Sequence, residues 1–155
     1  YLGKVETDAV VTLNLRPGSR APATCTAMGK AMLAAEIRPL RAIVGDGPYP
    51  ARTKYSITSF EALSAELAVV QVRGYAVDRQ ELSLGLWCVA APIMGTRLTQ
   101  NGAVSIASYG VELSDTDCAR YGRLVIACAG RIARKTGGLD DFHSWVVRGT
   151  SHPRP

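Results

Sequence analysis

RGYAVDRQELSLGLWCVAAPI, residues 73–93, holds two apolar segments separated by the polar run DRQE. Residues 75–78 read as a short strand and residues 82–91, LSLGLWCVAA, as a longer one. Alternation along the longer segment places Leu84, Leu86, Cys88 and Ala90 on one face and Trp87 and Val89 on the other. Two apolar faces on one strand require a packing layer on each side. Trp87 and Val89 therefore need cover from a helix or from a second subunit. Asp78 stands at the edge of this apolar stretch, either as a surface carboxylate or as a polar group at the mouth of a pocket.

Downstream, Gln100-Asn101-Gly102 reads as a turn and AVSIASYG, residues 103–110, as another strand. So short a connection makes the pair antiparallel. Ser114 with Asp117 opens a final helix running to about Lys135, with Cys118, Tyr121, Val125, Cys128 and Ile132 as its apolar stripe. Gly137-Gly138 stops it. Upstream, Thr58 and Glu61 form a capping box for a helix over residues 59–73, with Leu63, Leu67 and Val70 on one face and Gly74 at its end. Before it lies the long loop DGPYPARTKYS, of a length that is often functional. Two short helices precede the loop, TCTAMGKAMLAAE with Thr26 as cap and PLRAIVG starting at Pro39. A strand, DAVVTLNL over residues 8–15, and the turn RPGSRAP come first. This order predicts an α+β domain over residues 1–139, with helices packed on an antiparallel sheet, and a weakly structured tail over residues 140–155.

With 155 residues, 47% of them hydrophobic and 20% charged, the chain can build a core without disulfides or metals. No apolar run approaches the roughly 18 residues of a membrane helix. The four cysteines, Cys25, Cys88, Cys118 and Cys128, have no close pairing and no histidine neighbour, so they read as small buried residues of a reducing, cytoplasmic protein. The net charge of +5 comes from arginines spread along the chain, not from a basic run interleaved with aromatics. The domain alone is not expected to read a DNA sequence. It starts at Tyr1 rather than Met, so an upstream segment is expected.

Catalytic chemistry has little to stand on. The only histidines, His143 and His152, lie in the tail, and a serine or cysteine nucleophile needs a base within hydrogen-bond reach. Cys88 reads as a core or pocket-wall thiol. The Gly29-Lys30 pair lacks the flanking residues of a phosphate-binding loop. The helix start at Thr26 and Ala27 is nevertheless a place where backbone N–H groups and the helix dipole favour an anion. No enzyme activity, metal or cofactor is expected.

Three stretches at matching spacing resemble the C-terminal effector-binding domain of IclR-family transcription regulators: GSRAPATCTAMGKAMLA (residues 18–34), RGYAVDRQELSLGLWCVAAPI (73–93) and AVSIASYG (103–110). The resemblance implies a GAF-like or profilin-like fold and a winged helix-turn-helix DNA-binding domain absent from this chain. It also implies a small organic-acid effector and assembly into a homodimer or homotetramer. Carried over by position, the effector pocket falls on Leu13, with Val10 as a second wall position, on the backbone donors Ala27 and Met28, and on Asp78, Leu86, Cys88 and Ser105. A further position falls on Ala107, or on Ser108 if the preceding turn slips by one residue. The chain departs from the family pattern at Ala23-Thr24, where a histidine is common, and at Arg79-Gln80, where acids are common. Two other readings remain open: a GAF-like thiol reductase using Cys88 or Cys118, and an assembly module with no ligand.

Overall fold

The computed structural model describes residues 1–5, 17–95 and 102–138. The strand expected over residues 8–15, most of the turn before Gly102 and the tail over residues 140–155 lie outside the described residues.

Among the described residues, four α-helices, α1 (Ala27–Ala34), α2 (Leu40–Val44), α3 (Phe60–Arg73) and α4 (Asp115–Lys135), accompany three strands, β1 (Ala76–Arg79), β2 (Leu86–Ile93) and β3 (Gly102–Tyr109). The described strands form one sheet in the order β1-β2-β3, antiparallel at both pairings. The class is the expected α+β. β2 is central, and both its faces are covered, which is why its sequence is almost uninterruptedly apolar.

One face of the sheet, with Ala76, Cys88, Ala90 and Ala103, packs under α1 and α3. Ala27, Ala31 and Ala34 recur at helical spacing on α1, so its small side chains let the helix lie close to the strands. Leu63, Leu67 and Val70 of α3 close that core, as their spacing implies. The opposite face, with Val77, Trp87, Val89 and Ala91, packs under Cys118, Val125 and Ala129 of α4. Trp87 is 6% exposed and Val89 is fully buried within the one chain. α4, and not a partner subunit, covers them.

Three local expectations are corrected. The buried line of α4 is Cys118, Gly122, Val125, Ala129 and Ala133, with Tyr121, Cys128 and Ile132 only half-buried at its flanks. The ring of Tyr75 on the sheet side decides this. A Cβ on Gly122 would stand 2.6 Å from Cε1 of Tyr75, so the helix must approach with its smallest residues. The second strand starts at Leu86, not Leu82. The residues before it make the turn, with Gln80 at φ 62° and Gly85 at φ 78°, and Leu84 is 57% exposed. The Gln80 N–H closes that turn by donating to the Leu86 carbonyl at 2.8 Å. Lastly, α3 is capped by Ser59, whose hydroxyl accepts from Ala62 N–H at 3.2 Å. The neighbouring Thr58 instead offers its carbonyl to Tyr49 N–H. The Ser114–Asp117 capping box of α4 forms as expected.

Candidate functional site

Cross-strand pairing aligns Asp78, Cys88 and Ala107 in one row and Ala76, Ala90 and Ser105 in the next. Residues paired across an antiparallel ladder share a face, and this face lies under the start of α1. There Thr26 caps the helix. Its hydroxyl accepts from Gly29 N–H at 3.1 Å and its carbonyl from Lys30 N–H at 2.9 Å. Ala27 and Met28 are left as the first-turn residues whose N–H groups have no α-helical carbonyl to meet. Gly29 has no room for a side chain, because the backbone of Ala23 and the Thr26 hydroxyl lie against it.

Between the helix start and the strands is a cavity of about 30 Å³. Ala27, Met28, Asp78, Leu86, Cys88, Ser105 and Ala107 all line it, joined by Tyr1, Thr26 and Leu82. Ser108 does not. It pairs with Trp87, so it faces the α4 side, and its hydroxyl donates to the Val111 carbonyl at 3.2 Å. Leu13 and Val10 lie outside the described residues. Sequence reasoning missed Tyr1, Thr26 as a wall residue, and Leu82. Their approach depends on the tertiary path of the chain, although Thr26 was legible as the cap.

Asp78 is 1% exposed. One carboxylate oxygen accepts from Glu81 N–H at 2.7 Å; the other makes no well-formed hydrogen bond among the described residues, although the Leu82 N–H lies near enough to favour the ionised carboxylate. Burial pushes its carboxyl up to about 7, against the opposing pull of the Glu81 N–H. Tyr1 sits close enough that burial and the nearby Cys88 and Asp78 raise its phenol. Cys88 is pushed up to about 12, first by burial and then by Asp78. A thiol needs its thiolate form to act as a nucleophile, so this environment opposes a reductase role for Cys88. Burial also raises the thiol of Cys118, which is 2% exposed.

Behind Asp78 runs a chain of buried and half-buried charges that the sequence reading did not foresee. Lys30, 1% exposed, places its ammonium on Oε1 of Glu81 and 3.4 Å from Glu66, and Arg73 reaches the same Glu66 oxygen at 3.0 Å. Burial raises the Glu81 carboxyl, with the charge of Lys30 opposing. A lysine can be buried this completely only when paired. The signal was a lone lysine inside the small apolar helix AMGKAMLA, with Glu81 just beyond Asp78. A second cavity, of about 260 Å³, adjoins this chain at the edge of β1. It is lined by Lys30, Tyr55, Ile57, Glu66, Arg73, Val77, Arg79 and Glu81. Among the described residues no group of three or more histidines, cysteines or acids could hold a metal ion. Nor is any helix long and apolar enough to cross a membrane.

The described residues define a layered α+β domain with a small, mostly apolar cavity beside a helix start, and comparison with known proteins places it in a family. The family model for the bacterial transcriptional regulator IclR C-terminal domain matches residues 1–134, and the chain belongs to that family. It is similar to the probable transcriptional regulator SauR of Cupriavidus necator, at 39% identity over 107 residues covering 68% of this chain and 42% of that protein. It is also similar to the HTH-type transcriptional regulator XynR of Escherichia coli, at 30% identity over 78% of this chain and 48% of that protein. The chain thus spans about half the length of the curated relatives it matches. Among solved structures, the Thermotoga maritima IclR superposes with a TM-score of 0.75 at 29% identity, over 86% of this chain and 54% of that one. The C-terminal domain of E. coli KdgR gives 0.68 at 30% identity, over 77% and 73%. These relatives are regulators rather than enzymes.

Proposed function

We propose that this chain is the effector-sensing domain of a cytoplasmic bacterial transcription regulator. It binds a small organic acid between the start of α1 and the strand carrying Leu86 and Cys88. A DNA-binding domain upstream of this chain would carry the operator contacts, and two or four copies would assemble so that occupancy alters how those domains are presented. The observation that carries the reading is Asp78, buried in the wall of this cavity beside Leu86 and Met28, with one carboxylate oxygen that has no hydrogen-bond partner among the described residues. A polar group in that position calls for a hydrogen-bonding occupant.

The ligand carboxylate is placed on the N–H groups of Ala27 and Met28, where the helix dipole favours it. Ionised Asp78 would repel an anion. With its carboxyl raised to about 7, however, Asp78 is partly protonated at neutral pH and can donate to the ligand or face its hydroxyl. Ser105 adds a hydroxyl from β3. A cavity of about 30 Å³ equals the liquid volume of roughly one water. An acid of even a few heavy atoms must therefore open it, and Met28, with its flexible thioether, is the wall residue best suited to move. That requirement suits a sensor, because a ligand shifts an assembly equilibrium only if it prefers one of two shapes. The same small volume favours the alternative of an assembly module with no ligand.

A thermal-shift screen of two- to four-carbon carboxylic and hydroxycarboxylic acids separates the two readings. Under the sensing proposal, at least one acid raises the melting temperature of the wild type and leaves that of Leu86→Trp unchanged. Stabilisation that survives Leu86→Trp would move the site elsewhere, and no stabilisation by any acid would leave the assembly reading standing.

A further inference from the structure

We propose that the organic acid enters the cavity under α1 together with a proton, which Asp78 holds while the acid is bound, so that the domain reads acid and proton concentrations jointly. This rests on the acid-binding reading above and adds the regulation of that same site. No covalent bond of the acid is made or broken. One ionised acid and one proton leave solution, and the Asp78 carboxylate becomes a carboxyl.

The lining of the cavity carries the argument. Among the described residues that line it, Asp78 is the one whose side chain can carry a charge at neutral pH, and none is a lysine, arginine or histidine. The donors offered to the acid, the N–H groups of Ala27 and Met28, are neutral and cannot cancel a second negative charge. A space of about 30 Å³ has walls only a few ångströms apart, so an acid at the start of α1 stands close to Asp78. Movement of Met28 opens the apolar wall and leaves both ends in place: Thr26 caps α1, and Asp78 is held by the Glu81 N–H at 2.7 Å. Two carboxylates sharing one such site do not both ionise, and the pair keeps a proton. This repulsion acts across the cavity and needs no contact between the acid and Asp78.

The groups facing Asp78 from the surrounding elements leave it as the seat of that proton. Burial raises the thiols of Cys25, just before α1, and of Cys88 on β2, and the phenol of Tyr1, so these three are mainly uncharged at neutral pH. The amine of Tyr1 donates to the Ser19 carbonyl at 3.0 Å. Lys30 of α1 draws Asp78 toward its ionised form, but its ammonium is already on Glu81 and 3.4 Å from Glu66 of α3. Glu81, in the turn after β1, adds repulsion and does not line the cavity. From β3 come only the Ser105 hydroxyl and the Ala107 methyl. Burial pushes the Asp78 carboxyl up to about 7, so near neutral pH it is divided between its two forms, and an anion beside it favours the protonated one. Acid binding is therefore strongest below that value and weakens as pH rises through it.

The test is calorimetric titration of the chain with propionate, glycolate, lactate and 3-hydroxybutyrate, each in HEPES and in Tris, two buffers of different ionisation enthalpy. The best-bound acid should take up about 0.9 proton per molecule at pH 8. Its affinity should fall about eightfold from pH 7.5 to pH 8.5 and less than about twofold from pH 5.5 to pH 6.5. Asp78→Asn, which keeps the Tyr1 amine and Glu81, should bind the same acid with no proton uptake and with equal affinity at pH 7.5 and pH 8.5. Infrared difference spectra of the wild type with ¹³C-labelled acid read the proton without a variant. A protonated-carboxyl band should appear at the unlabelled position, which belongs to the protein. Binding to wild type without proton uptake overturns the coupling and leaves the sensing reading standing. Uptake that survives Asp78→Asn, or a new band at the labelled position, overturns Asp78 as the seat. Binding of none of these acids overturns the sensing reading, and the coupling with it.

Discussion

Replacing Asp78 by asparagine should flatten the pH dependence of folding. The carboxyl is 1% exposed and its pKa rises from 3.8 to about 7, chiefly by desolvation. A rise of about three units, at about 1.4 kcal/mol each, is roughly 4 kcal/mol. The group is an acid with a raised folded-state pKa, so between pH 3.8 and about 7 the native state holds more proton than the unfolded chain. Stability therefore falls as pH rises through that window, and the full penalty is present above it. Asparagine keeps an oxygen to accept from Glu81 N–H but has no charge to bury. Urea unfolding at pH 4.5 and at pH 8 should show the variant gaining stability relative to wild type between the two. Because about 1 kcal/mol of the penalty is already present at pH 4.5, the gain should be about 3 kcal/mol, or about 1.5 M in midpoint for a slope near 2 kcal/mol per M. Parallel stability curves, within about 0.5 kcal/mol across the range, would refute the reasoning. They would mean that the free oxygen of Asp78 is solvated or paired when ionised.

Lys30→Met should destabilise the chain by about 3–5 kcal/mol, because it leaves Glu81 buried without its cation; equilibrium unfolding in urea measures this. Gly122→Leu should destabilise it by about 1–3 kcal/mol through collision with Tyr75, seen as a lower melting temperature. The thiol of Cys88, pushed up to about 12, should react with an aromatic disulfide reagent at pH 8 far more slowly than glutathione does, and a stopped-flow rate equal to that of the free thiol would contradict this. The domain alone should show no sequence-specific DNA binding, and any retention should vanish with added salt. Nanomolar binding to one operator at 150 mM salt would contradict this.

The sequence by itself determined the elements that depend on local pattern. The apolar alternation from Leu86 to Ala90, the cap at Thr26, the Ser114–Asp117 box and the spacing of Leu63, Leu67 and Val70 are each written within a few residues. Their expression needs only backbone geometry and side-chain periodicity. The likeness of residues 18–34, 73–93 and 103–110 to a known family also brought Ala27, Met28, Asp78, Leu86, Cys88, Ser105 and Ala107 together as candidate site residues before any fold was seen. Tertiary structure decided what depends on size and on distant partners. Which line of α4 is buried follows from the Tyr75 ring across from Gly122. The choice between Ala107 and Ser108 follows from the register that sets Cys88 against Ala107. Whether Lys30 is a surface cation or the centre of a buried ion pair depends on Glu66 and Glu81, 36 and 51 residues away in the chain. Desolvation is a property of everything that packs around a group, which is why the raised pKa of Asp78 could not be read from its neighbours in sequence.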